Sequence, residues 1–200
     1  MIRTNVPNPH SGHGSLSADE RRRLLRIARA TVAHYLAERK RPRSEDLGVE
    51  ITAAMKAPAG AFVTLHKGRA LRGCIGEMDS ERSLCEVVMD HALNAAFKDP
   101  RFDPVTEAEL ADIDFEISAL TPPCPIDSWR DIEVGRHGVV LRARRVSSVF
   151  LPQVATEQDW DVQTMLEQLS RKAGLPADAW CEPDTHLFVF EATVFGERTR

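Results

Sequence analysis

Residues 61–76, AFVTLHKGRALRGCIG, hold two apolar runs on either side of a short polar turn. The turn, HKGR at residues 66–69, contains a glycine, and such a turn between two apolar runs is typical of a β-hairpin. With the turn centred on its Lys-Gly pair, Ala61 would lie opposite Cys74. We therefore predict an antiparallel hairpin whose second strand carries the hexapeptide LRGCIG (71–76).

Two amphipathic helices flank this hairpin along the chain. Ser17 and Glu20 form a capping box at the start of the first helix, where apolar residues then recur at helical spacing. The second helix covers residues 83–97 and ends before the Asp-Pro pair at 99–100, because the position before a proline disfavours helical geometry. Residues 113–119 alternate apolar and polar side chains, which indicates a half-buried strand.

The same order of elements recurs in the second half of the chain. A second hairpin is predicted over residues 132–141 with its turn at 135–138, followed by a helix around 165–169 and a last strand over 187–195. We therefore predict an α+β fold of mainly antiparallel sheets with packed helices, arranged as two interlocked subdomains. The recurring order of hairpin, helix and strand favours an internal structural duplication.

The domain boundaries follow from local composition. Residues 1–15 are rich in Pro, Gly, Ser and His without periodicity, so we interpret them as a disordered lead-in. No stretch of linker composition divides the rest, and residues 16–200 are predicted to form one domain. Its two subdomains are expected to comprise residues 50–125, which carry LRGCIG, and residues 16–49 together with 126–200.

The overall composition indicates a globular protein of the cytoplasm. Of the 200 residues, 42% are hydrophobic and 28% are charged, which is unlike a disordered chain or a coiled coil. No apolar run approaches the roughly 20 residues that span a bilayer, so we expect no membrane association. The net charge of −4 gives no general attraction for nucleic acid. The four cysteines are scattered, and we expect no metal site and no cofactor.

Arg72 and Cys74 carry the strongest chemical signal in the sequence. On a regular strand they share one face, roughly 7 Å apart, and a permanent cation beside a thiol favours the nucleophilic thiolate. Cys74 is therefore a candidate nucleophile, and Arg72 is the candidate residue that lowers its pKa. In the alternative interpretation Cys74 fills space in the core and Arg72 is a surface charge, since buried cysteines are usually inert.

Five further residues are candidates for the same site. His137, in the glycine-flanked turn of the second hairpin, would be a general base or only a turn residue. Asp99 and Arg101 lie across a proline turn and would bind a substrate carboxylate or form a structural ion pair. Gln153 would donate to a substrate oxyanion or satisfy backbone groups of a loop. Thr64, on the first strand of the hairpin, is a further candidate substrate-binding residue.

Several segments resemble a known family in the same order along the chain. They are LRGCIG itself, FVTLHK (62–67), AFKDPRF (96–102), ISALTPP (117–123), VGRHG (134–138), FLPQVA (150–155) and KAGLP (172–176). Together they cover roughly residues 17–198. They resemble the family named for the Alport, midface hypoplasia and elliptocytosis chromosomal-region protein, whose prokaryotic members are called AmmeMemoRadiSam system protein A.

The resemblance implies an α+β protein of two subdomains. It also implies a three-component system with a Memo-like protein and a radical S-adenosylmethionine (radical SAM) enzyme. Two functions from different classes remain open. The first is a cysteine-dependent enzyme that acts on a small polar or carboxylated metabolite by an unassigned reaction. The second is a non-catalytic binding or scaffold module that docks a ligand or these partner proteins.

Overall fold

A computed structural model describes residues 16–78 and 80–198, so the lead-in expected over residues 1–15 lies outside the described residues. Within the described ranges, the chain forms five α-helices and eight strands. The helices are α1 (Ala18–Glu38), α2 (Ala53–Lys56), α3 (Leu84–Phe97), α4 (Pro152–Glu157) and α5 (Val162–Lys172). The strands are β1 (Ala61–Lys67), β2 (Ala70–Glu77), β3 (Ile113–Leu120), β4 (Cys124–Pro125), β5 (Gly138–Ala143), β6 (Val146–Phe150), β7 (Thr185–Phe190) and β8 (Ala192–Gly196).

The strands form two four-stranded sheets with the orders β2-β1-β3-β8 and β4-β7-β5-β6. In the first sheet β1 pairs antiparallel with both β2 and β3, and in the second β5 pairs antiparallel with both β6 and β7. The predicted α+β fold with mainly antiparallel sheets is confirmed. In the first sheet β1 lies between its hairpin partner β2 and β3, the strand that follows α3. In the second sheet β5 lies between its hairpin partner β6 and β7, the strand that follows α5. This shared order agrees with the expected structural duplication.

The chain divides into two compact units. Unit A contains residues 16–120 and 193–198 of the described chain, and unit B contains residues 121–192. The sequence grouped residues 16–49 with the second subdomain, whereas the structure places them in unit A with LRGCIG. The reason is packing: α1 contacts α3 and β3, and its apolar stripe joins the core of unit A through Leu24, Ile27, Ala28 and Val32.

The start of α1 is as the sequence predicts. Ser17 Oγ accepts a hydrogen bond from the Glu20 amide at 3.3 Å, and Glu20 Oε2 accepts one from the Ser17 amide at 2.8 Å. The capping box therefore satisfies two amides that the first turn of the helix leaves without partners. Among the helices of the described residues, none is long and apolar enough to cross a membrane.

The second hairpin lies further along the chain than predicted. It is formed by β5 and β6, with Val139 opposite Phe150 and the tight turn at Arg144, whose φ is +54°. The expected first strand at 132–134 does not join a sheet, because the amide of His137 donates to the carbonyl of Glu133 at 2.9 Å and closes a turn there. Residues 132–141 therefore do not form a hairpin.

Strand β1 separates the two faces of the sheet in unit A. Val63 and Leu65 are fully buried in the hydrophobic core, where β1 and β2 contact α3. Thr64 and His66 alternate with them and lie half-buried on the opposite face. The alternation of a regular strand thus directs these two polar side chains away from the core, to the face where LRGCIG presents its thiol.

Candidate functional site

Cys74 lies directly opposite Thr64 in the β1–β2 hairpin, so the predicted pairing with Ala61 is wrong. Two features cause the difference of three residues. The turn is formed by residues 68–69, one position later than expected, which moves the partner of Cys74 by two residues. A bulge beside the turn adds one further residue to β2. Turn chemistry and the bulge together therefore decide which side chain faces the thiol.

The two glycines of LRGCIG allow neighbouring groups to approach β2 closely. A Cβ atom at Gly73 would lie 2.2 Å from the carbonyl oxygen of Ala95 in α3, and one at Gly76 would lie 2.4 Å from the ring of Phe62. Side chains cannot occupy either space. The glycines therefore let β2 lie directly against α3 and against Phe62, and Cys74 is held between these two contacts.

The thiol of Cys74 is partly exposed and hydrogen-bonded. Thr64 Oγ1 donates to Cys74 Sγ at 3.3 Å, and a donor to sulfur favours its charged form. The structure therefore brings Cys74 together with Thr64, one of the predicted substrate-binding residues.

Asp99 and Arg101 bond to the backbone of Cys74. The Cys74 amide donates to Asp99 Oδ2 at 2.9 Å, and Arg101 Nη2 donates to the Cys74 carbonyl at 3.4 Å. Since β2 is an edge strand, the two side chains occupy the donor and acceptor positions that a neighbouring strand would use. The structure therefore brings both predicted residues to the motif.

Asp99 and Arg101 also form a close ion pair with each other. Asp99 accepts hydrogen bonds from Arg101 Nε at 2.9 Å and Nη2 at 2.6 Å, and this guanidinium holds the pKa of the Asp99 carboxyl well below its usual range. The Asp99 side chain is 2% exposed, whereas the Arg101 side chain is 54% exposed. The structural ion pair is therefore present, and the binding of a substrate carboxylate by Arg101 stays a prediction.

Arg72 is paired with a carboxylate that the sequence did not indicate. Its Nε and Nη2 donate to the two carboxylate oxygens of Glu109 at 2.9 and 3.0 Å, and Lys67 Nζ lies 3.3 Å from the same carboxylate. These cations, chiefly Arg72, lower the pKa of Glu109 to about 2. The charge of Arg72 is thus compensated by Glu109. Arg101 contacts Cys74 through the backbone carbonyl, and Asp99 raises the pKa of its guanidinium.

This ion pair makes stability depend on acid pH. The pKa of Glu109 is about 2 in the folded chain and about 4.3 in an unfolded chain, so folding is favoured above that range and loses the contribution as pH falls towards 2. Glu109→Gln removes this titrating group. The slope of the free energy of unfolding against pH is therefore expected to fall by up to about 1.4 kcal/mol per pH unit between the two pKa values. Urea unfolding at pH values from 2.5 to 6 measures it. Glu107→Gln, on the same turn but exposed, is the matched control and should keep the slope of the unmodified protein; equal slopes for all three proteins would contradict the assignment.

Phe102 is a further residue that the sequence analysis missed. Its ring lies between two arginines, 5.9 Å from the guanidinium of Arg72 and 5.4 Å from that of Arg101. Cations at these distances are attracted to the face of an aromatic ring. The only sequence signal was its place after Arg101 in the AFKDPRF segment.

His137 and Gln153 belong to unit B, whereas Cys74 belongs to unit A. His137 is 8% exposed, and its Nδ1 accepts a hydrogen bond from the amide of Glu133 at 3.1 Å. Gln153 lies in the first turn of α4 and not in a loop. The predicted roles of His137 as a base and of Gln153 as an oxyanion donor stay predictions.

Comparison with known proteins identifies relatives along nearly the whole chain. The sequence is 39% identical over 191 residues to a protein of Methanopyrus kandleri, covering 91% of this chain and 90% of that one. It is 40% identical over 185 residues to a protein of Thermococcus gammatolerans, with 87% and 88% covered. The fold is similar to the crystal structure of an uncharacterised protein from Pyrococcus horikoshii, with a TM-score of 0.75, 34% identity, and 88% and 90% of the two chains covered.

The family assignment agrees with the ordered series of motifs. The sequence model of the AMMECR1 family matches residues 25–195, a range that includes LRGCIG and the residues around it. Relatives at this level of identity and coverage share the fold of both units. The chain therefore belongs to the AMMECR1 family.

Proposed function

We propose that the protein is a cysteine-dependent enzyme that acts on a small polar or carboxylated metabolite, with Cys74 as its nucleophile. The observation that carries the proposal is the setting of the Cys74 thiol. It is partly exposed and receives a hydrogen bond from Thr64, and the carbonyl oxygen of the same residue accepts a hydrogen bond from Arg101. Each of these features favours a thiolate that a substrate can reach.

The class of substrate follows from the arginine beside the thiol. Arg101 keeps its guanidinium in place through buried Asp99, yet more than half of its side chain is exposed. A fixed and exposed guanidinium suits a carboxylate, with which it forms charge-assisted hydrogen bonds. The ring of Phe102, packed against the same guanidinium, offers an apolar surface for the rest of a small molecule. In this proposal Arg101 orients the substrate and Cys74 attacks it.

The setting of the enzyme is also part of the proposal. The family resemblance supports a cytoplasmic three-component system with a Memo-like protein and a radical SAM enzyme. The four cysteines, all of them free, agree with a reducing compartment.

A non-catalytic binding or scaffold module is the second candidate. It is favoured by the contacts of the motif itself, because Arg72 is engaged by Glu109 and the Cys74 amide by Asp99. In that case LRGCIG would serve packing, and its surroundings would dock a ligand or the two partner proteins. A module of this kind has no need of a reactive thiol.

The rate of alkylation of Cys74 by iodoacetamide discriminates between the two candidates. We expect Cys74 to react well below pH 8.5, the range of an ordinary thiol, and Arg101→Gln to slow the reaction at pH 7 by about threefold to tenfold. Arg72→Ala tests the activator that the sequence indicated, and because Glu109 engages that guanidinium we expect a smaller effect. Arg145→Gln, an exposed arginine of unit B, is the matched control and should change nothing.

The other cysteines are internal standards in the same experiment. Burial raises the pKa of the Cys85 thiol to about 11, so this residue should stay unmodified in the folded protein. Cys181 is exposed and should react as an ordinary thiol. If Cys74 reacts only after unfolding, as Cys85 should, the enzyme proposal fails and the binding module takes its place.

A further inference from the structure

The face of the unit A sheet opposite its hydrophobic core brings a thiol, an imidazole and a carboxylate together. Thr64 on β1 lies opposite Cys74 of β2 on one side and opposite Glu116 of β3 on the other. His66 follows Thr64 by two residues on β1 and therefore shares its face. All four side chains are half-buried. His66 is thus the diagonal neighbour of Glu116, and on the β2 side it follows the Thr64–Cys74 pair by two residues, across the bulge.

The side chains of His66 and Glu116 are in contact range. His66 Nε2 lies 3.9 Å from Glu116 Oε1, an ion-pair distance, and this nitrogen is buried without a hydrogen bond to any described residue. Diagonal neighbours on one sheet face are about 7–8 Å apart at their backbones, which aromatic and long side chains can span. On the other side of Thr64, Cys74 pairs with Thr64 just before the bulge that shifts the β1–β2 register between Leu65 and His66.

A cavity adjoins these residues within unit A. It has a volume of about 490 Å³, and its lining includes His66, Glu116, Asp114, Arg69 and Arg198. Small-molecule sites have volumes of this order and few, convergent polar groups. His66 thus borders both the residues around the thiol and a space of suitable size for a small polar molecule.

We infer that His66 is the general base for Cys74 and that Glu116 is the positioning residue that orients its imidazole. This inference rests on the proposed function and names a second group of the same site. The S–H proton of Cys74 passes to Nδ1 of His66, the ring nitrogen that does not face Glu116, and the electron pair of the S–H bond stays on sulfur. The products are a thiolate, which accepts the hydrogen bond of Thr64, and an imidazolium, whose charge Glu116 compensates.

The other two carboxylates that line the cavity, those of Asp114 and Glu197, form ion pairs with arginines. Asp114 on β3 pairs with Arg198 at 2.5 Å, and Glu197 pairs with Arg29 at 2.5 Å. Arg69 in the hairpin turn is exposed. Glu116 is therefore the carboxylate at ion-pair distance from His66, which supports its role as the orienting group.

The test is the pH profile of Cys74 alkylation by iodoacetamide in the full-length protein. We expect the unmodified protein to show a reactive limb that rises through pH 5–7, where an imidazole titrates. His66→Asn is expected to lower the rate at pH 6 by about tenfold or more and to leave the rate at pH 9.5 within about twofold. Glu116→Gln should lower the rate at pH 6 by a smaller factor. His186→Asn, at an exposed histidine of unit B, is the matched histidine control and should leave the profile unchanged.

The outcomes separate this inference from the proposed function. If Cys74 is reactive near pH 6 and His66→Asn keeps that limb, the proposed function stands and His66 is not the base. If Cys74 of the unmodified protein shows no reactivity below pH 8, the proposed function itself fails. The NMR signals of the His66 ring do not depend on the folding of the His66 variant: Cys74→Ser should shift them at pH 6, and unchanged signals would overturn the pairing.

Discussion

Gly73→Ala should destabilise the protein by about 3 kcal/mol, the largest effect that we expect from a single methyl group. The added Cβ would lie 2.2 Å from the carbonyl oxygen of Ala95. Because the backbone of β2 fixes the position of the new Cβ and the carbonyl belongs to the backbone of α3, no side-chain rotation relieves the contact, and β2 must move away from α3. That movement would also disturb the pairing of Gly73 with Leu65, which is fully buried. Urea or thermal unfolding followed by circular dichroism measures the loss.

Gly196→Ala is the matched control for this prediction. It makes the same chemical change on β8 of the same sheet, where the new Cβ would lie 3.4 Å from the Phe115 carbonyl oxygen, in ordinary contact. We expect a change of less than about 1 kcal/mol there. Equal losses for the two variants would mean that the close approach of β2 and α3 does not govern the stability of unit A.

Asp99→Ala is expected to cost about 3 kcal/mol, the second largest effect. The carboxylate accepts hydrogen bonds from the Cys74 amide and from Arg101, and its side chain is almost completely buried. Its removal leaves the edge of β2 without an acceptor and Arg101 without its partner. Two measurements apply: the free energy of unfolding, and amide hydrogen exchange at Cys74, which should accelerate as the edge strand opens more often.

Two variants isolate the contribution of the Asp99 bond to Cys74. Asp103→Ala removes an exposed carboxyl from the same loop and should be nearly neutral. Arg101→Ala removes the ion pair but leaves Asp99 to accept from the Cys74 amide, so it should cost less than Asp99→Ala. Arg101→Ala and Asp99→Ala would contradict this if they lowered the free energy of unfolding equally and gave the Cys74 amide the same exchange rate. The hydrogen bond from the Cys74 amide to Asp99 would then contribute nothing to stability.

Elements defined by neighbouring residues were predictable from the sequence. The capping box of Ser17 and Glu20 begins α1, and the apolar runs of residues 61–76 form β1 and β2. The failures arose where a partner had to be chosen. Residues 132–134 are apolar enough for a strand, yet β5 pairs with β6 and β7, because the Glu133–His137 turn removes this segment from the sheet. The local pattern of apolar residues does not show whether a segment pairs in a sheet or closes a turn.

The candidate site was only partly predictable for the same reason. Residues close in sequence, such as Asp99 and Arg101, were correctly grouped, because two positions across a proline turn must lie near each other. Glu109, the partner of Arg72, is separated from it by 37 residues, and spacing carries no signal over that distance. The sequence pattern places His66 only in the hairpin turn, whereas β1 extends to Lys67 and puts His66 on the face that carries Cys74.

Local sequence alone specifies the α+β class, the hairpin and the presence of an arginine, a thiol and glycines in LRGCIG, because helix caps, turns and two-residue alternation are short-range effects. The environment of the thiol depends on tertiary structure. A one-residue shift of the turn and one bulge moved the partner of Cys74 from Ala61 to Thr64. The pairing of Arg72 with Glu109 and of the Cys74 amide with Asp99 follows from packing between distant segments. Which cation contacts Cys74 is therefore decided by the folded chain, since buried and edge polar groups bind whichever partners the packing brings within hydrogen-bond distance.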